Sequence, residues 1–147
     1  MATGQNSGIA VMGAVDGALA HVSVTVTDVE RARAFYGAVL GLPEIARPDF
    51  GFPGIWYDLG RGMQLHIIEN TGLTRPAEER ASFDVRYPHF AIGVASADAA
   101  AAALTARGVR MDELINSVTG LRQLFVKDPD GNMVELIGPG GSAATAA

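Results

Sequence analysis

The sequence predicts an α+β protein in which one strand–helix–strand–strand–strand unit occurs twice. Two strands with the same alternation, one led by His21 and one by His89, are each followed by helix-capping signals and a closing glycine. The spacing agrees as well, because His66 follows His21 by 45 residues and Glu135 follows His89 by 46. Shared spacing of this kind indicates an internal duplication.

Composition places the chain among soluble globular proteins. Its 147 residues suffice for one domain with a sizeable core, and 48% hydrophobic against 18% charged residues exclude a disordered chain. The net charge of −5 argues against nucleic acid as a partner, and no apolar run approaches the roughly 18 residues that span a membrane. The absence of cysteine removes disulfides and thiolate ligands. Without the basic region of a signal peptide, a cytoplasmic location is expected.

The first module begins with an alternating strand over 20–27, in which three valines share one face and His21 lies on the other. After a loop rich in proline and glycine, strands are predicted over 55–59 and 63–68. The second of these alternates too, with His66 on one face. Each module therefore carries a histidine, or its equivalent, in its first and its last strand.

A helix is predicted over 29–40. Thr27 and Glu30 have the spacing of a capping box, in which each side chain bonds the backbone of the other residue. Gly41 ends the helix, since glycine is favoured in the left-handed conformation that follows a last turn.

The second module repeats this order after a polar linker. A strand over 88–94 is led by His89, Ser96 caps an alanine-rich helix, and Gly108 ends it. An irregular stretch leads to a strand over 123–127 and a final hairpin. The predicted boundaries are a flexible leader at 1–18, module one at 19–70, a linker at 71–87, module two at 88–138 and a flexible tail at 139–147.

The final hairpin contains the most informative residue of the chain. Its turn is Asp128-Pro129-Asp130-Gly131, and in the strand that follows Glu135 lies on the same face as Met133 and Ile137. A carboxylate between two large apolar residues is costly unless something compensates its charge. The compensation is either a salt bridge or solvent at a strand edge, or a metal ion.

The three histidines of the chain occupy three of the four end positions of the duplicated frame, and Glu135 occupies the fourth. A single strand histidine is more often a structural residue than a ligand. Three at equivalent positions beside a glutamate form a ligand set suited to one divalent ion of zinc, nickel, iron, manganese or cobalt. We therefore predict that His21, His66, His89 and Glu135 bind a metal.

Two stretches, 21–36 with 39–42 and 125–136, resemble the vicinal oxygen chelate superfamily. This family includes glyoxalase I, methylmalonyl-CoA epimerase, extradiol dioxygenases, fosfomycin-resistance thiol transferases and bleomycin-binding proteins. The resemblance covers about residues 19 to 138. It implies two βαβββ modules that form a cupped, eight-stranded mixed sheet with the helices outside and the metal on the concave face. It also implies a homodimer, with metal ligands that come from one chain or from both.

The chemistry that the resemblance implies is chelation of a small-molecule substrate through two adjacent oxygens, with metal stabilisation of an enediolate. Similarity to glyoxalase I favours a lyase or isomerase in which Glu135 is the base. Related sites often have Glu or Gln where this chain has His66. With one carboxylate instead of two, His66 is the candidate for the second acid or base.

Two alternatives remain open. In an Fe(II) dioxygenase of the extradiol type, His21, His89 and Glu135 would hold the iron and His66 would be an acid or base. Such enzymes have a tyrosine where this chain has Phe125 and a histidine that residues 116–121 lack, which counts against this alternative. The second alternative is a metal-free binding protein like the bleomycin-resistance members, although those members generally lack the four ligands.

Two further residues are candidate substrate contacts. Arg122 begins the approach to the last hairpin and offers a cation for an anionic substrate group, although a solvated arginine is the simpler interpretation. Trp56 lies in the first hairpin, where an aromatic ring lines an apolar pocket or belongs to the core.

Overall fold

The computed structural model of the chain describes residues 19–141, which contain two βαβββ modules. Module one has β1 (His21–Val26), helix α1 (Val29–Ala32) that continues as a π-helix (Arg33–Val39), β2 (Glu44–Ile45), β3 (Gly54–Gly60) and β4 (Met63–Glu69). Helix α2 (Ala77–Ala81) lies in the predicted linker, and module two has β5 (His89–Gly93), α3 (Ala97–Ala106), β6 (Asp112–Asn116), β7 (Leu121–Lys127) and β8 (Met133–Pro139). The predicted leader and most of the predicted tail lie outside these residues.

Each module forms one four-stranded mixed sheet, and the two sheets have the same topology. The strand orders are β1-β4-β3-β2 and β5-β8-β7-β6, with the first strand parallel to the last in both. The α+β class of two βαβββ modules is thus confirmed, with the eight strands divided between two hydrogen-bonded sheets. The residue ranges of strands β2 and β6 were not predicted, although the unit requires both strands. Within residues 19–141, no helix is long and apolar enough to cross a membrane.

The start of helix α1 differs from the prediction. Asp28, and not Thr27, is the N-cap, since its side chain accepts hydrogen bonds from the backbone N–H groups of Glu30 and Arg31. The Thr27 hydroxyl instead donates to Asp130 in the final hairpin, at 2.6 Å. The predicted capping box is therefore wrong, because a partner from the other module competes for the Thr27 side chain.

One hydrophobic core joins the two modules. The alternating valines of β1 pack with buried side chains of β3 and β4, as the sequence pattern predicts. The cluster continues through the helices into module two. Its fully buried large members are Tyr36, Tyr57, Ile55, Leu65, Ile67, Leu124, Val26, Val126 and Val134. Because this core takes one face of each sheet, the opposite faces remain for function.

A buried carboxylate also connects the modules. The Tyr36 hydroxyl donates to Asp128 at 2.9 Å, and Asp128 accepts further bonds from the backbone N–H groups of Asp130 and Asn132 and from the Asn132 amide. Burial raises the pKa of Tyr36, and the negative charge of Asp128 raises it further. Burial also raises the pKa of Asp128, against the opposing effect of its hydrogen bonds. Asp128 therefore has a structural role at the junction.

Candidate metal centre

His89 and Glu135 lie side by side on β5 and β8. The strands pair in parallel with Ala91 opposite Glu135, and the Nε2 atom of His89 lies 3.3 Å from Oε2 of Glu135. Glu135 is 5% exposed and is one of two buried charged side chains among the described residues, Asp128 being the other. The strand alternation thus places the predicted carboxylate and one predicted histidine in contact.

A hydrogen bond to the backbone fixes the tautomer of His89. Nδ1 of His89 lies 2.7 Å from the carbonyl oxygen of Tyr87. Because a carbonyl only accepts, Nδ1 carries a proton, and in a neutral imidazole the lone pair of Nε2 then faces the Glu135 carboxylate. Two acceptors at this distance repel each other unless a proton or a metal ion provides positive charge between or beside them.

These residues fit a divalent metal. A neutral histidine nitrogen and a carboxylate oxygen are ligands for zinc and the neighbouring transition metals. Metal-binding histidines commonly donate their second ring N–H to a backbone carbonyl, as His89 does to Tyr87. The Gln123 amide donates to Oε1 of Glu135 at 2.7 Å, which orients the carboxylate and leaves Oε2 on the side of His89.

His21 and His66 form the second pair, on β1 and β4. Their rings stack with centroids 4.2 Å apart and 12° between the planes. Trp56 stacks on His66 at 4.1 Å, and Nε2 of His66 bonds the Gln64 side chain at 2.9 Å. Burial lowers the pKa of His66, and the nearby His21 and Arg47 lower it further. His66 is therefore held as a neutral imidazole, the form that binds a metal.

The two pairs belong to different sheets, His21 with His66 in module one and His89 with Glu135 in module two. Among residues 19–141, no three His, Asp or Glu side chains are grouped closely enough to hold a metal ion. We call the two pairs the half-sites of the predicted centre, and the prediction that the four residues bind one metal ion stays a prediction.

The predicted substrate contacts lie in different surroundings. The Arg122 guanidinium bonds Asp98 at 2.8 Å and Glu113 at 2.6 Å, and these hydrogen bonds raise its pKa. An anionic substrate group would compete with both carboxylates for Arg122. Trp56 lies in direct contact with His66 and therefore beside one half-site.

Sequence reasoning missed Gln123, which orients Glu135, and the Tyr87 carbonyl, which orients His89. Gln123 had a usable signal. Phe125 pairs with Glu135 across β7 and β8, so Gln123 is the diagonal neighbour on the same face. The Tyr87 carbonyl had none, because a backbone group carries no sequence signature.

The duplicated βαβββ units, with histidine or glutamate side chains in the first and last strand of each, define a class of modular α+β folds. Comparison with known proteins agrees with this class. The chain belongs to the Glyoxalase/Bleomycin resistance protein/Dioxygenase superfamily, whose family model matches residues 18–136. The resemblance stated from the sequence is thereby confirmed.

Three similar proteins illustrate the family. A protein of Arabidopsis thaliana named glyoxylase I 4 is 30% identical over 125 residues, which are 80% of this chain and 68% of that protein. A probable lactoylglutathione lyase of Vibrio parahaemolyticus is 28% identical over 130 residues, which are 83% of this chain and 91% of that protein. The crystal structure of a glyoxalase/dioxygenase from Nostoc punctiforme has a TM-score of 0.69 at 21% identity and covers 84% of this chain and 92% of its own.

Proposed function

We propose that the chain is a metal-dependent lyase or isomerase of the glyoxalase type, which moves a proton at the carbon next to a carbonyl group. The observation that carries the proposal is the contact of His89 Nε2 with the buried Glu135 carboxylate, at 3.3 Å. The arrangement accommodates a metal ion as well as a proton, and Glu135 is also placed to act as a base. The names of the Arabidopsis and Vibrio relatives support the same reaction type.

The metal would be held by His21, His66, His89 and Glu135. When bound, it supplies Lewis-acid stabilisation of the negative charge that develops on two adjacent substrate oxygens. The chain itself provides the orientation of these ligands, through the Tyr87 carbonyl on His89 and the Gln123 amide on Glu135.

Two side chains would move the proton. Glu135 accepts it at Oε2, because Oε1 is already engaged by Gln123. His66 is the second candidate, since its lowered pKa keeps it neutral and able to accept a proton near neutral pH. A stacked Trp56 shields one face of its ring from water.

A homodimer would join the two half-sites. Each chain offers His21 with His66 on one sheet and His89 with Glu135 on the other, and no three such residues group within the described part of one chain. In a dimer with twofold symmetry, the His21–His66 pair of each chain can face the His89–Glu135 pair of the other chain, so the same contact forms twice. Each of two equal centres would then take one pair from each subunit.

Phe125 favours this reaction over ring cleavage. Its ring lies edge-on to His89 at 5.6 Å and is 2% exposed, so the position next to the half-site offers no hydroxyl group. The extradiol type of site, which the sequence left as an alternative, would have a tyrosine here. The metal-free binding protein remains as the outcome of a failed metal test.

The experiment is to strip the protein with a chelator and reload it separately with nickel, zinc, iron, manganese and cobalt. Isomerisation of a hemithioacetal of methylglyoxal is assayed beside oxygen consumption with catechol. We expect about one metal per chain and isomerisation with at least one metal, both lost in Glu135→Gln. Glu78→Gln, which neutralises an exposed carboxylate on helix α2, is the matched control. Metal-dependent oxygen uptake without isomerisation would replace the lyase by the dioxygenase, and no metal under any loading would leave a binding protein.

A further inference from the structure

Arg47 is enclosed by aromatic rings in the loop after β2. The central carbon of its guanidinium lies 4.9 Å from the ring centroid of Phe50 and 4.9 Å from that of Phe52. Both contacts are of the cation–π type, which uses the flat faces of the guanidinium. The N–H groups at its edge are not used by these contacts.

No carboxylate neutralises Arg47 within residues 19–141: none lies within 4.0 Å of its guanidinium, whereas Arg33 and Arg122 each have such partners. Its Nε atom is buried and has no hydrogen-bond partner there. A buried N–H group without an acceptor is costly, and because Nε faces the backbone of Gly54, a ligand would reach the guanidinium at its terminal nitrogens. In a chain with a net charge of −5, an arginine left without an anion is a candidate anion site.

Strand β3 makes room for this arginine. A Cβ atom on Gly54 would lie 2.9 Å from Nε of Arg47 and 2.6 Å from the Ile67 carbonyl oxygen, distances that real Cβ atoms do not adopt. The backbone therefore lets the guanidinium lie close over the start of β3, where its position is defined before any ligand arrives.

Aromatic contacts connect Arg47 to the half-site of module one. Phe50 lies 5.9 Å from Trp56, and Trp56 stacks on His66 at 4.1 Å. Trp56 is the cross-strand partner of His66 on one side and of Ile45 on the other, so these residues share the sheet face that the core does not use. Phe50 and Phe52 are 51% and 45% exposed, which leaves ring surface available to a ligand.

We infer that Arg47, Phe50, Phe52 and Trp56 form a subsite for the carboxylate and ring of a small aromatic acid. The guanidinium edge binds the carboxylate through paired N–H groups, and the exposed rings contact the ring of the ligand. The inference rests on the proposed function, because it states which substrates the same centre takes. A substrate held here presents the rest of its structure toward His66.

The test uses metal-free protein and needs no turnover. Trp56 is the single tryptophan of the chain, so its fluorescence reports on this subsite and on the His66 ring stacked against it. Phenylacetate, acetate and 2-phenylethanol are titrated in turn, and each affinity is checked by isothermal titration calorimetry. We expect saturable binding of phenylacetate, weakened about tenfold or more when either the ring or the carboxylate is missing.

Variants assign the two parts of the subsite. Arg47→Met should weaken phenylacetate binding about tenfold or more, and Arg47→Lys should give an intermediate loss because lysine keeps the charge without the planar fork. Arg107→Met is the control, since Arg107 lies at the end of α3 and bonds only the Ala103 carbonyl. Melting temperatures confirm that each variant is folded. If Arg47→Met does not fold, the affinity of Arg47→Lys for phenylacetate tests the role of Arg47.

Three outcomes would overturn the inference: no saturable binding of phenylacetate, equal binding by the Arg47 variants and the parent, or equal affinity for acetate and phenylacetate. Failure of the proposed function is a separate result. Glu135→Gln should bind phenylacetate as the parent protein does, because the subsite contains no residue of that half-site.

Discussion

The two half-sites differ in how they are built. In module two, the carboxylate of Glu135 is buried and both of its oxygens have partners, Gln123 on one and His89 on the other. The half-site of module one contains no carboxylate. Its two histidine rings stack on each other, and Trp56 stacks on the far side of His66. One half-site thus contains a carboxylate, and the other contains imidazole nitrogens and aromatic surface.

This difference assigns them different tasks. A divalent metal binds most strongly where a negative ligand is already oriented, so the pair of module two should dominate metal affinity. The pair of module one adjoins Arg47 and the exposed Phe50 and should dominate substrate recognition. The same βαβββ topology positions both pairs, and the side chains at the equivalent positions differ.

The largest expected effect is an asymmetry between Glu135 and His66, the two proposed ligands on the last strands of the modules. Glu135→Gln keeps the shape of the side chain and removes its charge, so we predict loss of bound metal and a fall in turnover of about 10²–10⁴-fold. His66→Gln should keep most of the metal and lose less activity, because no charge is removed. Elemental analysis and hemithioacetal turnover measure both. Metal loss in His66→Gln equal to that in Glu135→Gln would remove the distinction.

Gln123 and Gln64 test the same difference, because Gln123 bonds Glu135 and Gln64 bonds His66. Gln123→Leu releases Oε1 of Glu135, and we predict a decrease in metal affinity of about 10–100-fold, as for other residues that orient a ligand. Gln64→Leu removes the side-chain partner of His66 and should have a smaller effect, since no charged ligand depends on it. Competition with a metal-binding dye measures both affinities. The reverse order of the two effects would contradict the assignment.

The junction between the halves should affect stability alone. Tyr36→Phe removes the buried hydrogen bond to Asp128, and we predict a loss of about 1–3 kcal/mol in the free energy of unfolding. Tyr87→Phe removes an exposed bond to Ser82 and should change it by less than about 0.5 kcal/mol. Urea denaturation gives both values. Metal affinity of the folded protein should be the same in each, and a decrease in Tyr36→Phe would show that the junction also positions the ligands.

The smallest effect concerns the pKa of His66. Burial, His21 and Arg47 hold it below its ordinary value of 6.5, so the unfolded chain takes up this proton first as the pH falls. The associated stability is present above pH 6.5 and is lost as the pH falls through the interval down to the lowered pKa. Arg47→Met should raise the pKa of His66 and narrow that interval. NMR titration of the imidazole measures the shift, and a lower pKa would contradict it.

Local patterns predicted the strands in which apolar and polar residues alternate, and glycine and proline marked the loops between them. The residue ranges of β2 and β6 could not be predicted, and for β6 the reason is physical. Strand β6 is mostly exposed and has no alternation of apolar residues, and it is a strand because β7 pairs with it. Thr27 and Asp28 are equally good caps in isolation, and Asp130, 103 residues away from Thr27, decides between them.

The candidate site, too, could be predicted only in part from the sequence. The positions of His21, His66, His89 and Glu135 followed from spacing, because equivalent positions in a duplicated unit lie on equivalent strands. That the four form two pairs within one chain depends on how the sheets are placed, which strand periodicity does not encode. Gln123 and Arg47 became visible through their contacts with Glu135 and with the rings around them.

Complementation between two inactive variants tests most directly whether the half-sites of two chains make one centre. His21→Ala and Glu135→Ala are each prepared alone, and then mixed and allowed to exchange subunits. Random pairing leaves one intact centre in each mixed dimer, so we predict that the mixture regains about a quarter of the metal and activity of the parent protein. A mixture no better than the average of the two variants would place all four ligands in one chain and contradict the account.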